Sequence, residues 1–304
     1  MHSSNVMVSV IMNCYNSDRF LKEAIDSIYS QEFDNWEIIF WDNCSSDNSA
    51  AVAKSYDSRL KYYLADKHTA LGSARNLAVS KAKGKYIAFL DCDDVYLPNK
   101  LALQVHQMEK HGYALSYGSA IIIGESGAEI RREVVRSRSG NVFSGLLARY
   151  EINMQTAMIR RSVLIDEQLN FDESMSYCPD YKLFMQIASR HDVGVLRDFL
   201  VKYRIVQGSL SQKTIDLAPI EIKYSLDSIS SAKEFSSNKY EKQLRKAYKK
   251  LFYYDAIAAL SKGDRVSAKT FMRRIIFNRP FYLAIYFLLN LPLSDRLILK
   301  LLKR

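Results

Sequence analysis

The sequence predicts an α/β protein: a doubly wound, mostly parallel sheet with helices on both faces, followed by a helical C-terminal region. Two observations predict it. From Val6 to Leu90, short apolar runs alternate with segments of helical periodicity, and a βαβαβαβ order joins parallel strands through crossover helices. Polar residues follow directly on three of those runs, at Asn13 to Asn16, Asp42 to Asp47 and Asp91 to Asp94. Ligands of such sheets sit at the C-terminal ends of the strands, so these three segments are expected to meet in one crevice.

Each element has its own signal. Val6 to Cys14 reads as the first strand. Asp18 to Gln31 places Phe20, Leu21, Ala24, Ile25 and Ile28 at helical spacing, with Asp18 as the N-cap. Glu37 to Trp41 is the second strand, Ser46 to Ser55 a helix, Leu60 to Leu64 a strand and Leu71 to Ala82 a helix. Gly84 is expected to close that helix before the strand Tyr86 to Leu90. The pattern then loosens. Ala114 to Gly118, Gln155 to Arg160 and Leu200 to Val206 read as strands, and Asp180 to Ser189 as a short helix. Beyond Thr214 the chain is helical, with Tyr240 to Leu260 and Arg265 to Phe277 paired across a break at Ser261 to Asp264.

Composition narrows the class. A hydrophobic fraction of 48% over 304 residues is that of a folded globular chain. Val6 to Met12 is too short, and lacks the preceding basic region, to read as a signal peptide. No run approaches the roughly 20 apolar residues that span a bilayer. The net charge of +10 is unevenly placed: residues 239–304 hold 16 Lys and Arg against 4 Asp and Glu, and the remainder holds 27 against 29. A basic patch so confined suits an anionic membrane surface, an anionic lipid-linked substrate or nucleic acid. Cys14, Cys44, Cys92 and Cys178 form no C-x-x-C pair and have no histidine at metal-ligand spacing, so they read as reduced thiols of a cytoplasmic protein.

The chemistry concentrates in Tyr86-Ile87-Ala88-Phe89-Leu90-Asp91-Cys92-Asp93-Asp94, where a buried strand runs straight into three carboxylates. An unpaired buried carboxylate is costly, so such a cluster is either solvated or holds a cation. Two carboxylates one residue apart can share a hard divalent ion whose other positions suit phosphate oxygens. The local alternative is an acidic turn that caps the helix beginning near Asn99. No G-x-G-x-x-G or Walker sequence follows the first strand, so dinucleotide and P-loop readings fail at their own signatures.

Taken in order, these pieces resemble the family 2 inverting glycosyltransferases, whose fold is the nucleotide-diphospho-sugar-binding GT-A type. The match runs from about Val6 to Ser211. It rests on Val8-Ser9-Val10-Ile11 through Tyr15-Asn16, Glu37-Ile38-Ile39 through Asp42 to Asp47, Ala74-Arg75-Asn76, Phe89 to Asp94, and Asp180 followed by Leu183. The resemblance implies a catalytic domain over 1–213 and a helical, basic region over 214–304. It implies Mn²⁺ or Mg²⁺ held by Asp93 and Asp91, with Asp94 a weaker third ligand or the cap of the next turn. Tyr15, Asp42, Asn43, Arg75 and Asp91 are implied for the nucleotide, uridine being favoured, and Asp180 for the catalytic base. Relatives often carry Asp, Glu and His where this chain has Asn43, Pro179 and Val206. His68 reads as a solvated loop residue rather than a replacement for that histidine.

The implied reaction moves a hexosyl or N-acetylhexosaminyl group from a nucleotide-sugar donor to a hydroxyl of a glycan or lipid-linked oligosaccharide, in cell-surface polysaccharide assembly. Phe281 to Leu293 is charge-free, with Arg273, Arg274 and Arg279 before it and Arg296, Lys300, Lys303 and Arg304 after it. That is the composition of an interfacial helix, and the other reading is a packing or homodimer contact. The first places the protein peripherally on the inner face of the plasma membrane, with no nucleic-acid partner. Two other classes compete. A sugar-phosphate nucleotidyltransferase would need a Gly-rich loop where Cys14-Tyr15-Asn16-Ser17 stands, and a non-catalytic basic membrane-surface protein would bind no nucleotide.

Overall fold

The computed structural model describes residues 6–231 and 237–302. Lys303 and Arg304, and the side chains of Arg296 and Lys300, lie outside the described residues. The chain divides into two compact units: Met1–Phe143 with Tyr150–Ser174 and Leu183–Val206, and Ser144–Arg149 with Met175–Lys182 and Gln207–Arg304.

The first unit is a mixed sheet of nine strands. They are β1 (Val8–Cys14), β2 (Trp36–Asp42), β3 (Leu60–Leu64), β4 (Tyr86–Phe89), β5 (Val95–Tyr96), β6 (Leu115–Ile123), β7 (Glu129–Glu133), β8 (Met158–Arg160) and β9 (Val193–Arg204). The order is β3-β2-β1-β4-β8-β6-β9-β5, with β7 paired to β6. The first four strands in that order run parallel. β8 lies antiparallel between β4 and β6, and β6 pairs parallel with β9. The helices are α1 (Asp18–Tyr29), α2 (Ser49–Lys54), α3 (Leu71–Lys81), α4 (Lys100–His111), α5 (Phe143–Ala148), α6 (Arg161–Asp166) and α7 (Pro179–Arg190). α5 and α7 each continue from one unit into the other.

β1 and β2 are buried along almost their whole length, because a parallel sheet covered on both faces needs apolar side chains in both directions. Val8, Val10, Met12 and Cys14 pack on one face with Leu21, Ile25 and Ile28 of α1. The α1 stripe at i, i+4, i+7 thus meets the even-numbered face of the strand.

Gly84 departs from expectation. α3 already ends at Lys81, with Ala82 extended behind it, so Gly84 is no helix cap. It is there for close approach: a Cβ at this position would lie 2.4 Å from the Ser9 backbone nitrogen. The Ser9 hydroxyl accepts from the Gly84 N–H at 2.8 Å and donates to buried Glu37 at 2.7 Å, tying the start of β4 to β1 and β2. Asp18 is likewise the first residue of α1 and not its cap, which is Ser17. Gln155 to Arg160 divides into a tight turn, Met154–Thr156, and the short strand β8.

The second unit adds α8 (Leu210–Lys213), α9 (Ala218–Ser230), α10 (Ser237–Ser261), α11 (Arg265–Arg273), α12 (Pro280–Leu288) and α13 (Asp295–Leu302). Asp264 caps α11 by accepting from the Ser267 N–H at 3.0 Å. Arg265 donates to the carbonyls of Leu289, Leu291 and Leu293, which fixes the turn after α12. α11 ends at Arg273, four residues before the expected Phe277. Among the described residues no helix is long and apolar enough to cross a membrane.

Candidate functional site

Hydrogen bonds gather the three polar strand ends. The Asn43 N–H donates to the Cys14 carbonyl at 2.8 Å, and the Ser46 N–H donates to the Asn16 side chain at 2.8 Å. The Cys92 thiol donates to the Asn13 carbonyl at 3.4 Å. Asn16 and Cys44 both hold left-handed backbone, with φ of 49° and 68°. Outside glycine such conformations are sparsely populated and cluster at functional loops.

Asp91 is held from two sides. Its N–H donates to Gln155 Oε1 at 2.9 Å, and Gln155 Nε2 donates back to its carboxylate at 2.6 Å. On the other side stands the guanidinium of Arg75, 3.7 Å away and itself buried. Arg75 also lies over the Phe171 ring, and Asn76 beside it exchanges two hydrogen bonds with the Phe171 backbone. The Ala74-Arg75-Asn76 run therefore places one side chain at the acid and uses the next to fix the supporting loop.

Burial, and after it the charge of Asp91, pushes the Asp93 carboxyl up to about 6, offset in part by Arg204. A carboxylate so poorly compensated as Asp93, two residues from Asp91 and like it a hard oxygen donor, fits a divalent cation of the Mn²⁺ or Mg²⁺ kind. Among the described residues no three His, Cys, Asp or Glu side chains come together to hold an ion by themselves. Asp94 stands apart. It is 1% exposed and accepts from the Arg204 N–H at 2.7 Å. Burial, and after it the charges of Asp93 and Asp91, raise its carboxyl well above the ordinary range, and its bond to Arg204 braces β9. Arg204 completes the brace by donating to the Asp93 carbonyl at 2.8 Å and to Glu23 at 2.7 Å.

The residues expected to recognise the base differ in exposure and in their hydrogen bonds. Tyr15 is half exposed, with its ring edge-on at 4.4 Å to His68, which is itself an exposed loop residue. Asp42 is fully buried. It accepts from the Ser45 N–H at 2.7 Å and the Tyr62 hydroxyl at 2.7 Å. Asn43 commits its amide to Thr69, donating to the carbonyl at 2.8 Å and accepting from the N–H at 3.1 Å.

Asp180 belongs to the second unit, in the first turn of α7, where the helix dipole favours an anion. The segment before it is clamped. Buried Glu221, on α9, accepts from the consecutive N–H groups of Ser176, Tyr177 and Cys178 at 2.8 to 3.1 Å. Burial raises the Cys178 thiol strongly, and the charges of Asp180 and Glu221 add to it.

Gln155, Arg204 and Glu221 were not singled out from the sequence. One left a trace: Glu221 falls on the stripe of α9 that buries Ala218, Ile222 and Ser225. A polar residue in a buried frame is the informative kind.

Among the described residues, a nine-stranded mixed sheet with helices on both sides is the GT-A fold. The family described as "Glycosyl transferase family 2" matches residues 9–166, and the chain belongs to it. Uncharacterised glycosyltransferases of Rickettsia bellii, R. felis and R. conorii are 35 to 36% identical, and the chain spans 29 to 34% of their lengths. An Escherichia coli protein named as a UDP-Glc:α-D-GlcNAc-diphosphoundecaprenol β-1,3-glucosyltransferase is 30% identical over 67% of this chain and 79% of its own. In structure, S. aureus TarS 1–349 in complex with UDP-GlcNAc matches with a TM-score of 0.60 at 17% identity, over 90% of this chain and 91% of that one. A Pyrobaculum calidifontis mannosyltransferase in complex with GDP-Man and Mn²⁺ matches with a TM-score of 0.63 at 16% identity, over 96% and 83%.

Proposed function

We propose that the chain is the catalytic part of an inverting glycosyltransferase. It moves a hexosyl or N-acetylhexosaminyl group from a UDP-sugar to a hydroxyl of a lipid-linked glycan, in the assembly of a cell-surface polysaccharide. The observation that carries the reading is Asp91, solvent-facing at the end of β4 and locked between Arg75 and Gln155, with the poorly compensated Asp93 two residues on. The lipid-linked acceptor and the UDP donor are supported by the E. coli relative and by TarS.

Asp91 and Asp93 would hold Mn²⁺ or Mg²⁺, which would neutralise charge on the departing nucleoside diphosphate. Arg75, fixed by Asp91 and Phe171, presents its remaining N–H groups to a phosphate or the base. Tyr15 offers its exposed ring to the base, while Asp42 and Asn43 keep the 42–47 and 65–69 loops in shape around it. Inversion requires a single in-line displacement, so one carboxylate must take the acceptor's proton. Asp180 is assigned that step, and Glu221 fixes the backbone of the segment that precedes it. Domain limits of 1–213 and 214–304 follow from this reading, although 175–182, which carries Asp180, packs within the helical unit. The protein acts peripherally at the inner face of the plasma membrane.

Release of UDP from UDP-hexose and UDP-N-acetylhexosamine donors, with a polyprenyl-diphosphate-linked sugar as acceptor, tests the proposal. Acceptor-dependent UDP release with an inverted anomeric centre is expected. A retained configuration, or no release from any nucleotide sugar, would remove it.

A further inference from the structure

α12 breaks the usual rule for a surface helix. From Pro280 to Ser294 the sequence contains no charged residue, so α12 is apolar all round. A helix of that kind is normally buried on every side. Here one side is: Tyr282, Ile285 and Leu289 join the core of the helical unit with Leu260, Ala268 and Met272. Much of the remaining surface faces solvent. Phe287 is 62% exposed, Phe281 51% and Leu291 48%, and Phe277 in the preceding turn is 93% exposed. Three phenylalanines and a leucine left open on neighbouring turns form the kind of patch that marks an interaction surface.

The charges around it identify the partner. Arg273, Arg274 and Arg279, at the near end of the patch, are all exposed. Residues 239–304 hold 16 basic and 4 acidic side chains. A second copy docking symmetrically through this face would set two such basic surfaces against each other. An anionic bilayer would neutralise the charge and cover the phenylalanines at once.

We propose that α12 lies in the plane of an anionic lipid surface, with Phe277, Phe281, Phe287 and Leu291 among the acyl chains and Arg273, Arg274 and Arg279 at the phosphate level. The inference deepens the lipid-linked acceptor reading above, because it holds the chain on the surface where such an acceptor is embedded. Its binding chemistry does not depend on transfer.

The test is co-sedimentation of the full chain with vesicles of phosphatidylglycerol and phosphatidylcholine, and with phosphatidylcholine alone. Binding to the anionic vesicles at low salt is expected, falling as salt rises because screening weakens the charge contribution. F277S/F287S should partition at least tenfold less, with UDP binding and melting temperature unchanged, since Phe277 is 93% exposed and Phe287 62%. Wild-type protein that stays in the supernatant at low salt, or a double variant that binds vesicles equally well, would overturn the proposal. So would a concentration-dependent dimer that the double variant abolishes, which assigns the face to a second copy. Protein that binds vesicles but no nucleotide would leave this inference standing and remove the transferase reading instead.

Discussion

Lys100 opens α4 with no exposed surface, its ammonium 2.7 Å from Gln104 Oε1 and 4.3 Å over the Tyr96 ring. Burial lowers its pKa to about 7. The unfolded chain keeps that lysine near 10.4. Between those values the unfolded state binds the proton and the native state does not, so this group makes stability rise with pH. At about 1.4 kcal/mol for each pH unit, the rise totals roughly 5 kcal/mol from pH 7 to pH 10.4. Lys100→Met keeps the volume and removes the titration. It costs about 1–3 kcal/mol, independent of pH, for leaving Gln104 Oε1 without its donor. Urea unfolding of both proteins at steps from pH 6 to 10 should therefore show the variant gaining on wild type toward low pH. The difference between the two curves cancels every other titrating group. A difference that stays flat across the range would refute the argument that burial holds Lys100 neutral.

Three further outcomes follow from the site and its supports. Gln155→Leu strips Asp91 of a charge-assisted hydrogen bond worth about 1.5–3 kcal/mol, so the Kd for UDP with Mn²⁺, by calorimetry, should rise about 10- to 100-fold. An unchanged Kd would separate Gln155 from the donor site. Asp180→Asn should bind UDP as wild type does yet turn over about 10²- to 10⁴-fold more slowly in the UDP-release assay, the usual loss for a general base; undiminished turnover would move the base elsewhere. Gly84→Ala puts a methyl 2.4 Å from the Ser9 nitrogen and 2.8 Å from the Tyr86 carbonyl oxygen. Backbone atoms cannot step aside, so unfolding should become easier by about 2–3 kcal/mol, and a shift below about 0.5 kcal/mol, within ordinary surface substitutions, would show the contact to be soft.

The parallel half of the sheet was legible because both of its faces are buried: β1, β2 and β4 read as continuous apolar runs whose polar ends stand out. The Asp91–Asp93 pair was legible for the same reason, as charge set directly against a buried strand. The misses have a common origin in partners distant along the chain. Gly84 looks like a helix cap locally, and only the approach of Ser9, 75 residues away, shows why a glycine stands there. Gln155 meets Asp91 across 64 residues and Glu221 meets Tyr177 across 44, neither encoded by spacing. Asp94 reads as a weaker third ligand or the cap of the next turn, and its bond to the Arg204 N–H, 110 residues away, is likewise not encoded by spacing. The end of α11 was placed late because Ile275 and Phe277 continue the helical apolar spacing, while the backbone leaves the helix after Arg273 and exposes Phe277.

Calorimetric titration of UDP into the full chain, with Mn²⁺ and with a chelator, tests the central claim most directly when wild type and Asp93→Asn are run side by side. Asp93 is a carboxylate that burial disfavours as an anion, so the variant without ligand should melt no lower than wild type, and any lost binding cannot be ascribed to unfolding. The account predicts tight UDP binding to wild type with Mn²⁺, weak binding with the chelator, and weak binding to Asp93→Asn under both conditions. Equal affinity in all four titrations would contradict it.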